Sequence, residues 1–141
     1  MAETKLLHAD LTGHILKVYF EVFNELGHGF LESVYENAMA VALRQDGLNV
    51  ATQQEIAVWF RDVRVGDFRA DMIVDGKVIL KLKAARALEP IHQAQLLNYL
   101  RATRIEVGLL LNFGERPEFK RLAFANDRKF SHTASAEPRR T

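Results

Sequence analysis

Residues 69–83 read RADMIVDGKVILKLK, and the way this stretch folds back on itself decides what the chain can build. Apolar residues flank Asp75-Gly76, so a hairpin of two strands, Phe68 to Ile73 and Lys77 to Lys83, is expected. Successive strand residues point to opposite faces, so loop length fixes which charged side chains meet. A two-residue Asp75-Gly76 turn pairs Val74 with Lys77 and separates Asp71 from Lys81. A three-residue loop, Val74 to a left-handed Gly76, pairs Ile73 with Lys77 and gathers Asp71, Ile79, Lys81 and Lys83 on one face. We take the second register. An aspartate on one strand and spaced lysines on the next can hold a divalent cation and stabilise charge developing at phosphorus.

Upstream, Leu11, Ile15, Val18, Val22 and Leu26 recur at helical spacing and stop at Gly27 and Gly29. A second helical pattern, Leu31, Val34, Tyr35, Ala38, Met39 and Ala42, runs to Gly47. Alternation at Val50, Ile56, Val58 and Phe60 then marks a first strand. Downstream, Pro90 opens a third helix with Leu96, Leu97 and Leu100 inward, because its missing N–H needs no partner there. Val107 to Leu111 is a continuous apolar run suited to a central strand buried on both faces, and residues 119–124 add an edge strand. A helical crossover lets the strand at Val107 run parallel to the one ending at Lys83. The tail is small, polar and basic, so the expectation is one domain over residues 1–126 and a flexible segment over 127–141.

The chain has 141 residues, 48% of them hydrophobic, enough for one core. Its 19 basic and 18 acidic residues give a net charge of +1, so any nucleic-acid affinity must come from a local patch. The absence of cysteine excludes thiolate metal sites and fits a reducing cytoplasm. No apolar run reaches the roughly 20 residues of a membrane span. The five histidines lack zinc-ligand spacing.

Gly29, Glu32 and Tyr35 form a G-x-x-E-x-x-Y signature within residues 27–35. With Arg69 to Asp71, Val78 to Lys83, His92 to Leu100 and Gly108 to Gly114, the chain resembles the GxxExxY proteins of the PD-(D/E)xK nuclease-like superfamily. The resemblance implies an α/β, restriction-endonuclease-like fold, with a mixed sheet of four to five strands flanked by helices. It implies Glu32 as the helix acid, Asp71 as the strand metal ligand, Lys83 as the catalytic lysine and Gln95 as the polar residue of the following helix.

Lys81 departs from the pattern, standing where the family has glutamate, and Arg86 stands where relatives tend to have an acid. An ammonium in place of a carboxylate removes an oxygen ligand, and Mg²⁺ relies on oxygens in near-octahedral geometry. Metal binding at Asp71 and Glu32 is therefore expected to be weak or absent, with Mg²⁺ or Mn²⁺ a cofactor only if the residual site is competent. The Lys81 ammonium is expected near the cation position, paired with Asp71, Glu32 or both, since unpaired buried carboxylates are costly. Arg69, Lys81, Lys83 and Arg86, together with Arg61 and Arg64, supply a basic strip for nucleic-acid phosphates.

Plainer roles compete. Glu32 suits a helix first turn, Tyr35 a core aromatic, Lys81 and Lys83 an edge strand blocked against pairing, and His92, Gln95 and Tyr99 a solvated stripe. Three functional readings follow: a nuclease-like protein with weakened or lost cleavage that retains nucleic-acid binding; an active Mg²⁺ nuclease in which Glu89 replaces the missing acid; or a self-assembling homo-oligomeric scaffold using Trp59, Phe60, Phe119 or Phe124.

Overall fold

The computed structural model describes residues 7–129. Helix α1 (Ala9–Leu26) turns Ile15, Val18, Tyr19 and Val22 inward. It ends where Gly27, at φ 72°, returns its N–H to Phe23 O. Helix α2 (Glu32–Gln45) buries Tyr35, Met39, Ala40 and Leu43 and stops before Gly47, whose φ of 87° is left-handed. After β1 (Val50–Phe60), β2 (Val63–Val74) and β3 (Val78–Lys83), helix α3 (Pro90–Arg101) begins on Pro90 as expected. Strands β4 (Val107–Phe113) and β5 (Pro117–Ala123) complete the chain of elements.

The five strands form one mixed sheet in sequence order. Only β3 and β4 are parallel, joined by the α3 crossover. Helices α1 and α2 cover one face, over Met72, Val74, Val78, Leu80, Leu82, Leu109 and Leu111. Helix α3 covers the other, where Leu96 and Leu100 meet Ile79 and Leu110. Every residue of β4 is buried, as its unbroken apolar run requires. Among the described residues no helix is long and apolar enough to cross a membrane.

The hairpin departs from the expected register by two positions. Asp75 (φ 54°) and Gly76 (φ 66°) are both left-handed, and Lys77 N–H reaches Val74 O at 2.9 Å, closing a two-residue turn of type I′ character. The ladder, however, pairs Val74 with Val78 and Ile73 with Ile79, leaving Lys77 as an extra residue. Ile73 therefore does not face Lys77. A two-residue shift is one full period of the pleat, so the grouping of Asp71 with Lys81 by face survives the correction.

Three further expectations change. Strand β2 begins at Val63 rather than Phe68; Val63 and Val65 are exposed, so no inward apolar pattern marks that stretch, which is held by pairing with β1. Strand β3 lies between β2 and β4 rather than at the sheet edge, although its ladder to β2 ends at Leu80 and Lys81 and Lys83 are paired with β4 alone. Residues 127–129, expected in the flexible segment, continue from the domain: Asn126–Arg128 form a 3-10 turn, and Lys129 Nζ donates to Thr103 O and Ile105 O. The remainder of that segment, 130–141, lies outside the described residues.

Candidate functional site

The C-terminal end of β3 is where the predicted acids and lysines converge. Ladder pairs between β2 and β3 cover Met72 to Val74 only. On the other side of Asp71, the β1 residue Gln53 takes a left-handed φ of 51° between the pairs Thr52–Met72 and Gln54–Ala70. Asp71 thus sits at an irregularity, and its carboxylate replaces a ladder carbonyl: Leu82 N–H donates to Asp71 Oδ2 at 2.7 Å. Burial raises the pKa of this carboxyl, opposed by the Leu82 hydrogen bond and then by the Lys81 charge.

Glu32 is the first residue of α2, half-buried, with its side chain aimed at the end of β3. Its Oε2 accepts from Ala84 N–H at 3.3 Å and lies 3.6 Å from Lys83 Nζ. Tyr35 sets this position. The phenol is fully buried, stacks on Phe113 at 4.1 Å, donates to Gly27 O at 2.6 Å and accepts from Phe30 N–H at 3.2 Å. The signature tyrosine thus ties down the loop that delivers Glu32, in keeping with a core role.

Lys81 does not take the position expected of it. Among the described residues the ion pair at this corner is Lys83–Glu32, and Lys81 forms none within 4.0 Å. Its Nζ lies 5.6 Å from the centre of the Tyr99 ring on α3. Lys81 pairs with Leu110 of β4, under α3, whereas Lys83 at the strand end is within reach of α2. Lys81 is still close enough to favour ionised Asp71, more strongly than Lys83 does.

Gln95 is exposed, one turn before Tyr99 on α3, and makes no hydrogen bond to Glu32, Asp71 or Lys83 among the described residues. Arg69 is exposed in the middle of β2, paired with Glu55 of β1, and Arg86 is exposed three residues beyond the end of β3. Arg64 is engaged locally with Asp67 and Glu55, and Arg61 lies over the Phe60 ring, so these two do not extend the strip to the site.

Two residues at this corner escaped the sequence reading. Glu36 follows Glu32 by one helical turn and accepts from Gln53 Nε2 at 2.8 Å; burial raises its pKa first, and the Asp71 charge raises it further. The four-residue spacing from Glu32 was the available signal. Asn112, buried in β4 beside Lys83, grips Ala85 at both backbone groups: its Oδ1 accepts from Ala85 N–H and its Nδ2 donates to Ala85 O, each at 2.9 Å. Nothing in an apolar run ending in asparagine announces such a clamp.

A divalent cation needs several converging oxygens. Among the described residues no three His, Cys, Asp or Glu side chains are arranged to hold a metal ion. One oxygen each of Asp71 and Glu32 is already engaged by backbone N–H groups, and Lys83 neutralises Glu32. As arranged, Asp71 and Glu32 are the carboxylates that a cation at this corner would have to use.

No curated protein matches the chain. A solved structure described as the crystal structure of SSO0001 is similar at 17% identity, covering 66% of this chain and 50% of its own, with a TM-score of 0.47. The chain thus spans about half the length of that protein. Residues 9–122 match the PD-(D/E)XK nuclease superfamily, a stretch that runs from the start of α1 to one residue short of the end of β5 and contains Glu32, Glu36, Asp71, Lys81 and Lys83. The chain belongs to the PD-(D/E)XK nuclease superfamily.

Proposed function

We propose that this is a nuclease-fold protein of the GxxExxY kind that binds nucleic-acid phosphates but has weakened or lost metal-dependent cleavage. The observation that carries the reading is the charge arrangement at the end of β3. Lys83 pairs with Glu32, Asp71 accepts from Leu82 N–H, and Lys81 occupies the sequence position where the resembled family has glutamate, with its ammonium turned to Tyr99. Phosphate binding is assigned to Arg69, Lys81, Lys83 and Arg86, and the residual site to Glu32, Asp71, Lys83 and Gln95. The family signature at Gly29, Glu32 and Tyr35 supports the narrower assignment.

The test is calorimetric titration of Mg²⁺ and Mn²⁺ into the protein and into Lys81→Glu, with cleavage of DNA and RNA assayed on the same samples. Metal binding and cleavage by Lys81→Glu alone is the expected result. Cleavage by both proteins, abolished by Asp71→Ala, overturns this reading in favour of an active nuclease.

A second reading, a self-assembling scaffold, draws on the β1–β2 arm, where Phe60, Val63 and Val65 are 52%, 61% and 60% exposed. Trp59 and Phe124 are half-buried, and Phe119 packs edge-on to Tyr19 and Phe20, so the arm tip carries this reading better than they do. Light scattering that gives one large defined species would favour it.

A further inference from the structure

The sheet has two edges, and they are built differently. Strand β5 opens on Pro117 and carries Lys120 and Arg121, residue types that block a further strand from pairing. The outer edge of β1 has no such protection: Gln54 to Phe60 reads QEIAVWF, without proline, lysine or arginine and with Glu55 as its one charge. Upstream, the left-handed φ of 51° at Gln53 interrupts the extended backbone, so the regular stretch starts at Gln54. Where the β1–β2 ladder changes register, Val58 faces Gly66 and Trp59 faces Arg64, so the extra residue is Val65 on β2 and β1 itself stays regular. Among the described residues, β2 is the one element hydrogen-bonded to the β1 backbone between Gln54 and Val58. The backbone groups there that point away from β2 are set to pair with another strand.

We infer that this edge pairs antiparallel with β1 of a second copy of the chain, about a two-fold axis, so that one sheet runs through both copies. A two-fold pairing of identical antiparallel strands sets one residue opposite itself, and centring it on Val58 is the choice that matches charges. Glu55 of each copy then faces Arg61 of the other, and Ile56 faces Phe60. Centring on Glu55 would oppose like charges, and centring on Ile56, Ala57 or Trp59 leaves Glu55 with no cation across from it. Ile56, Val58 and Phe60 share one face by strand parity, so the exposed Phe60 ring gains β-branched neighbours, a favourable cross-strand combination. Both charged partners can meet a second copy. Glu55 lies 3.7 Å from Arg64, which also holds Asp67 at 3.2 Å and stays paired if Glu55 turns outward. Arg61 lies over the Phe60 ring at 4.9 Å, a contact with the flat of the guanidinium that leaves its N–H groups for a carboxylate. The inference goes beyond the phosphate-binding reading and does not depend on it. A two-fold pairing also uses up the edge and stops at two copies, unlike a larger scaffold.

Sedimentation equilibrium of the full chain over a range of concentrations measures the pairing, and a monomer–dimer equilibrium is expected. Glu55→Lys sets a lysine opposite Arg61, and Arg61→Glu sets a glutamate opposite Glu55, so each alone should raise the dissociation constant about tenfold. The two positions are about 20 Å apart along one strand, too far to compensate within a chain. Mixing the two variants should restore the dimer, because opposite charges then meet at both ends, and no effect on the fold of either chain can produce that recovery. Glu55 also stands across from Arg69 of its own chain, so the urea midpoint of Glu55→Lys is measured first. If that variant unfolds, Arg61→Glu, at an exposed turn position, is mixed instead with Glu55→Gln, which should dimerise with it more tightly than Arg61→Glu does with itself. A monomer at every concentration overturns the second copy as the occupant of the edge. A dimer that neither variant weakens, or that mixing does not restore, overturns the β1 pairing. A defined species larger than a dimer overturns the closed pair in favour of the scaffold reading. None of these outcomes bears on phosphate binding at the β3 corner, which the metal and cleavage assays test separately.

Discussion

Asp71 is held between opposing influences: burial disfavours its charge, while Leu82 N–H and Lys81 favour it, and burial dominates. Glu36 is raised for the same first reason, with the Asp71 charge added. A carboxyl whose folded pKa lies above its unfolded value binds protons more tightly in the native state. Its stabilising contribution is fully present below the unfolded value, near pH 4, and is lost as pH rises through the folded one. Asp71→Asn, which keeps an oxygen for Leu82 N–H, should therefore gain stability relative to the parent as pH rises across that window. Denaturant unfolding of both proteins at a series of pH values measures it; a pH-independent difference sinks the assignment. At this scale the meeting of Glu32, Asp71 and Lys83 was legible from spacing and family likeness, and the part of Glu36 was not. The aim of Lys81 at Tyr99 was not, because strand parity gives a side chain's face and not the neighbour it meets at a strand end.

Two glycines show how the elements are locked around the site. A Cβ at Gly108 on β4 would come 2.9 Å from Cδ1 and 3.1 Å from Cγ of Leu96, a fully buried side chain whose tip must shift. A Cβ at Gly114 would come 2.7 Å from Ala85 O, a backbone atom that Asn112 already grips. Overpacking costs about 1–3 kcal/mol when neighbours cannot yield. Gly114→Ala should fall in the upper part of that range and Gly108→Ala in the lower part, as read from urea midpoints. Because Ala85 follows the strand that ends at Lys83, Gly114→Ala should also perturb the Lys83–Glu32 pair, visible as a shifted Lys83 Nζ resonance. Equal costs for the two substitutions would contradict the backbone clash. Helix boundaries and the buried β4 run were readable from periodicity and from Gly and Pro punctuation. The outer half of β2 was not, since Val63 to Asp67 owe their extended form to pairing with β1 across the sequence.

For the whole molecule, a net charge of +1 supplies no general attraction for nucleic acid, so binding must come from one local set of cations. If Arg69, Lys81, Lys83 and Arg86 are that set, log K against log salt should have a slope no steeper than about −3 for a single strand. A much steeper slope would require cations beyond these four. The sequence by itself determined the element order, the parallel crossover, the hydrophobic core and the side-chain types at the end of β3, because each follows from local periodicity or composition. Only the tertiary structure decided which lysine meets Glu32, how Glu36 and Asn112 join the corner, and that Lys81 turns to Tyr99. Those outcomes depend on where α2 and α3 end against the sheet, a matter of packing between segments tens of residues apart that no local pattern encodes.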